Sequence, residues 1–154
     1  MFSVTKIYRD FPAAHRQPKH KGHCAYIHGH NWGFDITFSC RTLDECGFVV
    51  DVGKLAGLKH ELEAMFDHTL LLNTDDPLAK QIVSLCESGG HGASVGDVRF
   101  VDNCGMEGLA QTVHKLANDW LAQSDFALRG VICTQVVCWE DSKNSATFGP
   151  FKLA

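Results

Sequence analysis

The chain has 154 residues, 45% of them hydrophobic, which is enough for one substantial core and too few for two ordinary domains; a single domain over residues 1–154 is expected. With 14 basic against 18 acidic residues the net charge is -4, which leaves no electrostatic footprint for a phosphate backbone and argues against a nucleic-acid partner. MFSVTKIYRDF lacks an apolar core of signal-peptide length, and nowhere do about 18 apolar residues run together, so no membrane partner and a cytoplasmic location are expected.

The opening FSVTKIYRDF is β-rich and ends near FPAAH, followed by a loop from His15 to Gly22. From Asn31 to Arg41, Trp32, Phe34, Ile36, Phe38 and Cys40 alternate with Gly33, Asp35, Thr37, Ser39 and Arg41, the period of a half-buried strand that should pair with the first. A third strand is expected at GFVVDV. Leu55, Leu58, Leu62, Met65 and Phe66 then recur at helical spacing, and the helix should stop near Asp67. Asp75 and Asp76 before Pro77 read as the cap of another helix with proline in its first turn, broken by the glycine-rich ESGGHGASVGD. A long helix is expected from about Met106 to Gln123, then a buried strand, GVICTQVVCWE, and a terminal strand, ATFGPFKL. Strands, helices, then strands argue for an α+β fold with an antiparallel sheet covered on one face by helices.

The seven cysteines, Cys24, Cys40, Cys46, Cys86, Cys104, Cys133 and Cys138, are odd in number, form no C-x-x-C pair and should be free thiols, most of them packed as small hydrophobes. Chemistry concentrates instead in CAYIHGHN, Cys24 to Asn31. On a strand, residues i and i+2 share a face, so His28 and His30 can converge on one metal ion. Such a pair is also what two surface histidines at a strand end look like. His15 raises the odds, because antiparallel pairing would bring the end of the first strand beside the start of the second. Three neutral imidazoles and no obvious fourth ligand describe a zinc site with an open position, the catalytic kind, although iron, nickel or copper also accept such ligands. Cys24 has three readings at this point: a fourth ligand closing a structural site, a thiol base with its pKa lowered by a nearby metal, or inert packing.

FPAAH, C-x-x-x-H-G-H, GFVVDVGKLAGLKHELEAMFDHTLLLN and WEDSKNSATF, in this order over nearly the whole chain, resemble the 6-pyruvoyltetrahydropterin synthase / 6-carboxytetrahydropterin synthase family. The resemblance implies a tunnelling fold (T-fold) of four antiparallel strands and two helices. It also implies assembly into trimers around a β-barrel, two trimers stacked into a homohexamer, and active sites between subunits. It makes His15, His28 and His30 the zinc ligands and Cys24 a catalytic cysteine. Asp67 and His68 match the family's second proton-transfer group; a carboxylate beside a histidine fixes its tautomer and raises its pKa, though the same pair can merely end a helix. Glu140 matches the glutamate that anchors the pterin ring, accepting from its 2-amino and ring N–H groups.

Where the family has P-T-[ST]-E-N before its second helix, this chain reads DNCGMEG, so Glu107 keeps the acidic position as a substrate contact or serves only the helix dipole. The segment from about Thr74 to Asp102 exceeds the compact family core and either covers the site entrance or decorates the outside. The loop HRQPKHKGH gathers Arg16, Lys19, His20, Lys21 and His23, a charge run that suits a triphosphate or is simply solvated.

The reaction implied acts on 7,8-dihydroneopterin triphosphate. Side-chain cleavage with loss of acetaldehyde and triphosphate gives 6-carboxy-5,6,7,8-tetrahydropterin, a precursor in queuosine/preQ0 biosynthesis; rearrangement instead gives 6-pyruvoyltetrahydropterin for tetrahydrobiopterin. The short spacing from cysteine to HGH favours the first. A reading of another class is a non-catalytic zinc-binding module, which requires Cys24 to close the metal site.

Overall fold

The computed structural model describes residues 1–88 and 94–150. Strand β1 (Phe2–His15) pairs antiparallel with β2 (His28–Cys40), and the alternation read in β2 is a burial pattern: Trp32, Phe34, Ile36 and Phe38 are fully enclosed. Helix α1 (Ala56–Phe66) lays Leu58, Leu62 and Phe66 into the same core and ends at Asp67, as expected. Helix α3 (Met106–Ala122) adds Leu109, Val113, Ala117 and Leu121, so helices cover this face of the sheet. Strand β5 (Ile132–Trp139) pairs antiparallel with β2, and β6 (Ser145–Phe148) with β5. The centre of the glycine-rich break and the last three residues of ATFGPFKL lie outside the described residues.

The expected four-stranded antiparallel sheet is corrected to a mixed one of six strands, ordered β4-β3-β1-β2-β5-β6. Strand β3 (Thr69–Asn73) runs parallel to the end of β1, and β4 (Asp97–Val101) runs parallel to β3. Between them lies α2 (Ala79–Glu87), the crossover that a parallel connection requires. The segment from about Thr74 to Asp102 therefore supplies a helix and the edge strand. It begins with a turn in which the Asp76 side chain accepts the Leu78 N–H, so Pro77 precedes the helix and does not occupy its first turn.

GFVVDV is not a strand. Its consecutive valines Val49 and Val50 are both buried, which a strand with one buried face would not allow. The carbonyls of Phe48 and Val49 accept from the Arg129 guanidinium at 3.3 and 2.7 Å, and Asp51 accepts from Gly53 N–H, so side chains supply what a strand ladder would have supplied.

One irregularity positions the site. Tyr8 faces Phe34 and Phe11 faces Trp32, so Arg9 and Asp10 together oppose Gly33 in a β-bulge, with Asp10 in the left-handed region at φ 68° and its carboxylate accepting from Asn31 at 2.9 Å. Core-facing positions are even-numbered up to Tyr8 and odd-numbered from Phe11 onward. The bulge thus turns His15 onto the core face; a regular strand would have turned it away.

Candidate active site

The register places His15 directly opposite His28 and Ala13 opposite His30, so all three imidazoles stand on one face. Their ligand atoms lie within 4.8 Å of one another. Trp32, fully buried, closes the floor beneath them, edge-on to His15 and His30 at ring separations of 5.0 and 5.2 Å. Its own indole N–H donates to the Ala13 carbonyl.

The outer ring nitrogens fix the tautomers. His15 Nδ1 lies 2.7 Å from the Cys104 carbonyl and His28 Nδ1 lies 2.8 Å from that of Tyr26. A carbonyl only accepts, so both Nδ1 atoms carry a hydrogen, and in a neutral ring each Nε2 is then a lone pair. Burial lowers the His15 pKa to about 4, which keeps that ring neutral. The two Nε2 atoms are 3.1 Å apart, a distance at which lone pairs repel unless a cation lies between them. His30 Nε2, buried beside them, has no hydrogen-bond partner. Two nitrogen lone pairs and the unpartnered ring nitrogen of His30 converging on one point are a donor set that a zinc ion takes, so the residues fit a metal.

The scaffold behind His15 runs through residues that sequence reasoning did not single out. Asn73, at the end of β3, accepts the Cys104 N–H through Oδ1 at 2.8 Å, and Cys104 Sγ donates to the Arg16 carbonyl at 2.9 Å. Cys104, which stands where the family's hydroxyl-bearing run begins, therefore orients His15 with its backbone. Burial pushes its thiol pKa up, consistent with a packed role. The final Asn of DHTLLLN was the available signal, but nothing local says what an asparagine at a strand end will hold.

The remaining predicted residues are spread around this centre. Cys24 is half-buried in a 3-10 turn, His23–Ala25, and stands outside the group of three converging histidines. Asp67 Oδ1 lies 2.6 Å from His68 Nδ1, and His68 sits at φ 57° with its side chain exposed. His68 N–H donates to the Pro12 carbonyl, three residues before His15 on the neighbouring strand, so its backbone is roughly 10 Å along the sheet from His15. Within one chain, then, the Asp67–His68 pair and the three histidines are separate groups. Glu107 is exposed in the first turn of α3. Glu140, just past β5, comes closest: Oε1 is 3.2 Å from His30 Nε2 and 3.8 Å from His15 Nε2. It also lines a cavity of about 550 Å³ with Arg9, His30, Asn31 and Trp139.

Two members of the basic loop are already engaged. Arg16 pairs with the fully buried Asp76 at 3.4 Å, and Lys19 pairs with Asp75. The aspartates read as a helix cap are thus the tether of the loop that carries Cys24.

Residues 4–150 match the family described as 6-pyruvoyl tetrahydropterin synthase. The chain belongs to that family. Among its relatives, a 6-carboxy-5,6,7,8-tetrahydropterin synthase of Rickettsia typhi is 41% identical over 75 residues, 47% of this chain and 54% of that protein. A putative 6-carboxy-5,6,7,8-tetrahydropterin synthase of Archaeoglobus fulgidus is 35% identical over 105 residues, covering 65% of this chain and 88% of that protein. The match spans about half the length of the first of these curated relatives. Among solved structures, 6-pyruvoyltetrahydropterin synthase of Plasmodium vivax, as a catalytic-residue mutant, superposes with a TM-score of 0.66 at 15% identity over 96% of this chain and 98% of the other. An uncharacterized protein of Wolinella succinogenes reaches 0.77 at 19% identity over 96% and 97%. At such identities the likeness establishes the fold, including its T-fold character.

Proposed function

We propose that this chain is a zinc-dependent 6-carboxy-5,6,7,8-tetrahydropterin synthase, converting 7,8-dihydroneopterin triphosphate to 6-carboxytetrahydropterin with release of acetaldehyde and triphosphate. The convergence of His15, His28 and His30 on one point, with two Nδ1 atoms committed to backbone carbonyls, carries the reading. The relatives named above favour this product over 6-pyruvoyltetrahydropterin.

The three histidines would hold the ion, which supplies Lewis acidity toward the hydroxyls of the substrate side chain. Cys24, outside the ligand group but on the turn that leads into His28, takes a proton from the side chain. His68, held by Asp67 in one tautomer with Nε2 outward, transfers protons at the far end of the side chain. Glu140 accepts from the pterin ring in the adjoining cavity, and Glu107 contacts the substrate from the start of α3. Separation of His68 from the histidines along the sheet fits a site completed by the Asp67–His68 pair of another copy, as in a trimeric barrel stacked into a hexamer. Two features support that assembly: no strand pairs with residues 2–11 of β1 on the edge away from β2 among the described residues, and Ile7 and Ile132 are exposed on the face the helices leave open.

Anaerobic incubation of zinc-loaded protein with 7,8-dihydroneopterin triphosphate tests the proposal. Acetaldehyde together with carboxytetrahydropterin is expected. Pyruvoyltetrahydropterin without acetaldehyde would transfer the chain to the biopterin reaction, and no turnover would overturn the enzymatic reading.

A further inference from the structure

Glu140 stands in two places at once, and the metal-site reading above gives that position a meaning. Its Oε1 approaches His30 Nε2 to 3.2 Å, yet that nitrogen is buried and without a hydrogen-bond partner, so the contact is not a hydrogen bond. The same oxygen is 3.8 Å from His15 Nε2, whose hydrogen is on the other ring nitrogen. A carboxylate oxygen is acceptor only, and here it is aimed at the lone pair of His15 and at an unsatisfied ring nitrogen. A cation among them would turn the repulsion at His15 into attraction and give the unpartnered His30 nitrogen a partner. Ligand atoms about 2.0–2.1 Å from a tetrahedral ion stand roughly 3.3 Å from one another. The observed separations of 3.1 Å between His15 and His28 and 3.2 Å between His30 and Glu140 are of that size, while Glu140 is 3.8 Å from His15 and stands outside the group of three mutually close histidines, so a shift of its side chain completes the set.

We infer that Glu140 is the fourth metal ligand of the substrate-free protein, and that the substrate displaces it. Resting on the proposed pterin chemistry, this gives one side chain two successive partners: the ion when the cavity is empty, the pterin ring when it is filled. The backbone permits the exchange without moving. Glu140 N–H donates to the Asn144 carbonyl, and Asp141 accepts from the N–H groups of Lys143 and Asn144, so the turn after β5 is held and only the side-chain torsions of Glu140 need change. Because Glu140 also lines the cavity of about 550 Å³, rotation carries the carboxylate from the histidines into the ring-binding space. The carboxylate offsets part of the charge of an ion otherwise held by neutral ligands, and it denies the open position to water or small anions until a ligand that can occupy Glu140 arrives.

The test uses the zinc-loaded full chain. Crystal structures without ligand and with 7,8-dihydroneopterin should show a Glu140 oxygen at about 2.0–2.2 Å from zinc in the first and turned to the pterin in the second. Chelator competition should show zinc bound at least about 10-fold more weakly by Glu140→Gln than by the parent, with the fold intact by circular dichroism. Zinc held by the three histidines with Glu140 distant in the ligand-free structure, or an unchanged affinity in Glu140→Gln, would overturn the fourth-ligand role alone. A carboxylate that stays on zinc when pterin binds would overturn the displacement. Zinc that binds equally well to His30→Ala would instead sink the metal-site reading on which the inference rests.

Discussion

At the scale of single residues, the site depends on Asp10 as much as on any of its three histidines. Asp10 absorbs the left-handed backbone of the bulge that turns His15 inward. Aspartate tolerates that region better than a branched residue, and a left-handed conformation costs other L-residues about 1–2 kcal/mol. Asp10→Val should therefore lower stability in urea by about that amount and weaken zinc binding, whereas Asp10→Gly should leave stability nearly unchanged. Cys24 is tested differently. Standing outside the ligand group, Cys24→Ala should retain its zinc by metal analysis while acetaldehyde release falls by about 10²–10⁴-fold. Loss of metal from that variant would favour a closed structural site.

At the scale of elements, β3 does more than extend the sheet. Its last residue, Asn73, accepts from the Cys104 N–H before α3, and the carbonyl of that anchored residue holds His15. Asn73→Ala would leave the Cys104 N–H buried without a partner, a loss of about 1–3 kcal/mol in denaturant unfolding. Through the released carbonyl it should weaken zinc binding about 10- to 100-fold, the range typical when an outer partner of a metal-bound histidine is removed. A merely structural role would show the first effect without the second. The short parallel strands β3 and β4 went unread because TLLLN and DVRFV are five residues each, too short for periodicity to separate strand from turn. GFVVDV erred in the other direction: its composition is that of a strand, yet Arg129, 80 residues away, takes the carbonyl a ladder would need.

For the whole molecule, buried thiols set an alkaline limit. Burial pushes Cys133 up to about 12 and Cys138 higher still, with the Glu140 and Glu107 carboxylates adding to the rise at Cys138; Tyr8, its hydroxyl buried without a partner, is pushed up to about 12 as well. Between the ordinary and the raised values the folded chain holds protons that the unfolded chain releases. Stability should thus be undiminished below about pH 9 and fall as pH rises toward 12, by up to about 4 kcal/mol from Cys133 alone. Urea midpoints measured between pH 8 and 10.5 check the sign, and a flat profile would contradict it.

The sequence by itself determined the three histidines that could hold a metal, the two long strands, both core helices and the family. Each of these rests on local periodicity or on ligand spacing, which a chain displays without being folded. The pairing of the two strand ends was legible, but only the tertiary structure decided that His15 points to the same face as His28, because a one-residue bulge inverts the parity of β1, and bulges leave no periodic trace. It alone decided that Asn73 and Cys104 orient His15, that Asp75 and Asp76 tether the Cys24 loop, and that Glu140 reaches the histidines. Those contacts join residues from 31 to 125 positions apart. Pairings at such distances are selected by how the sheet closes on its core, and no stretch of sequence short enough to show a pattern contains both partners.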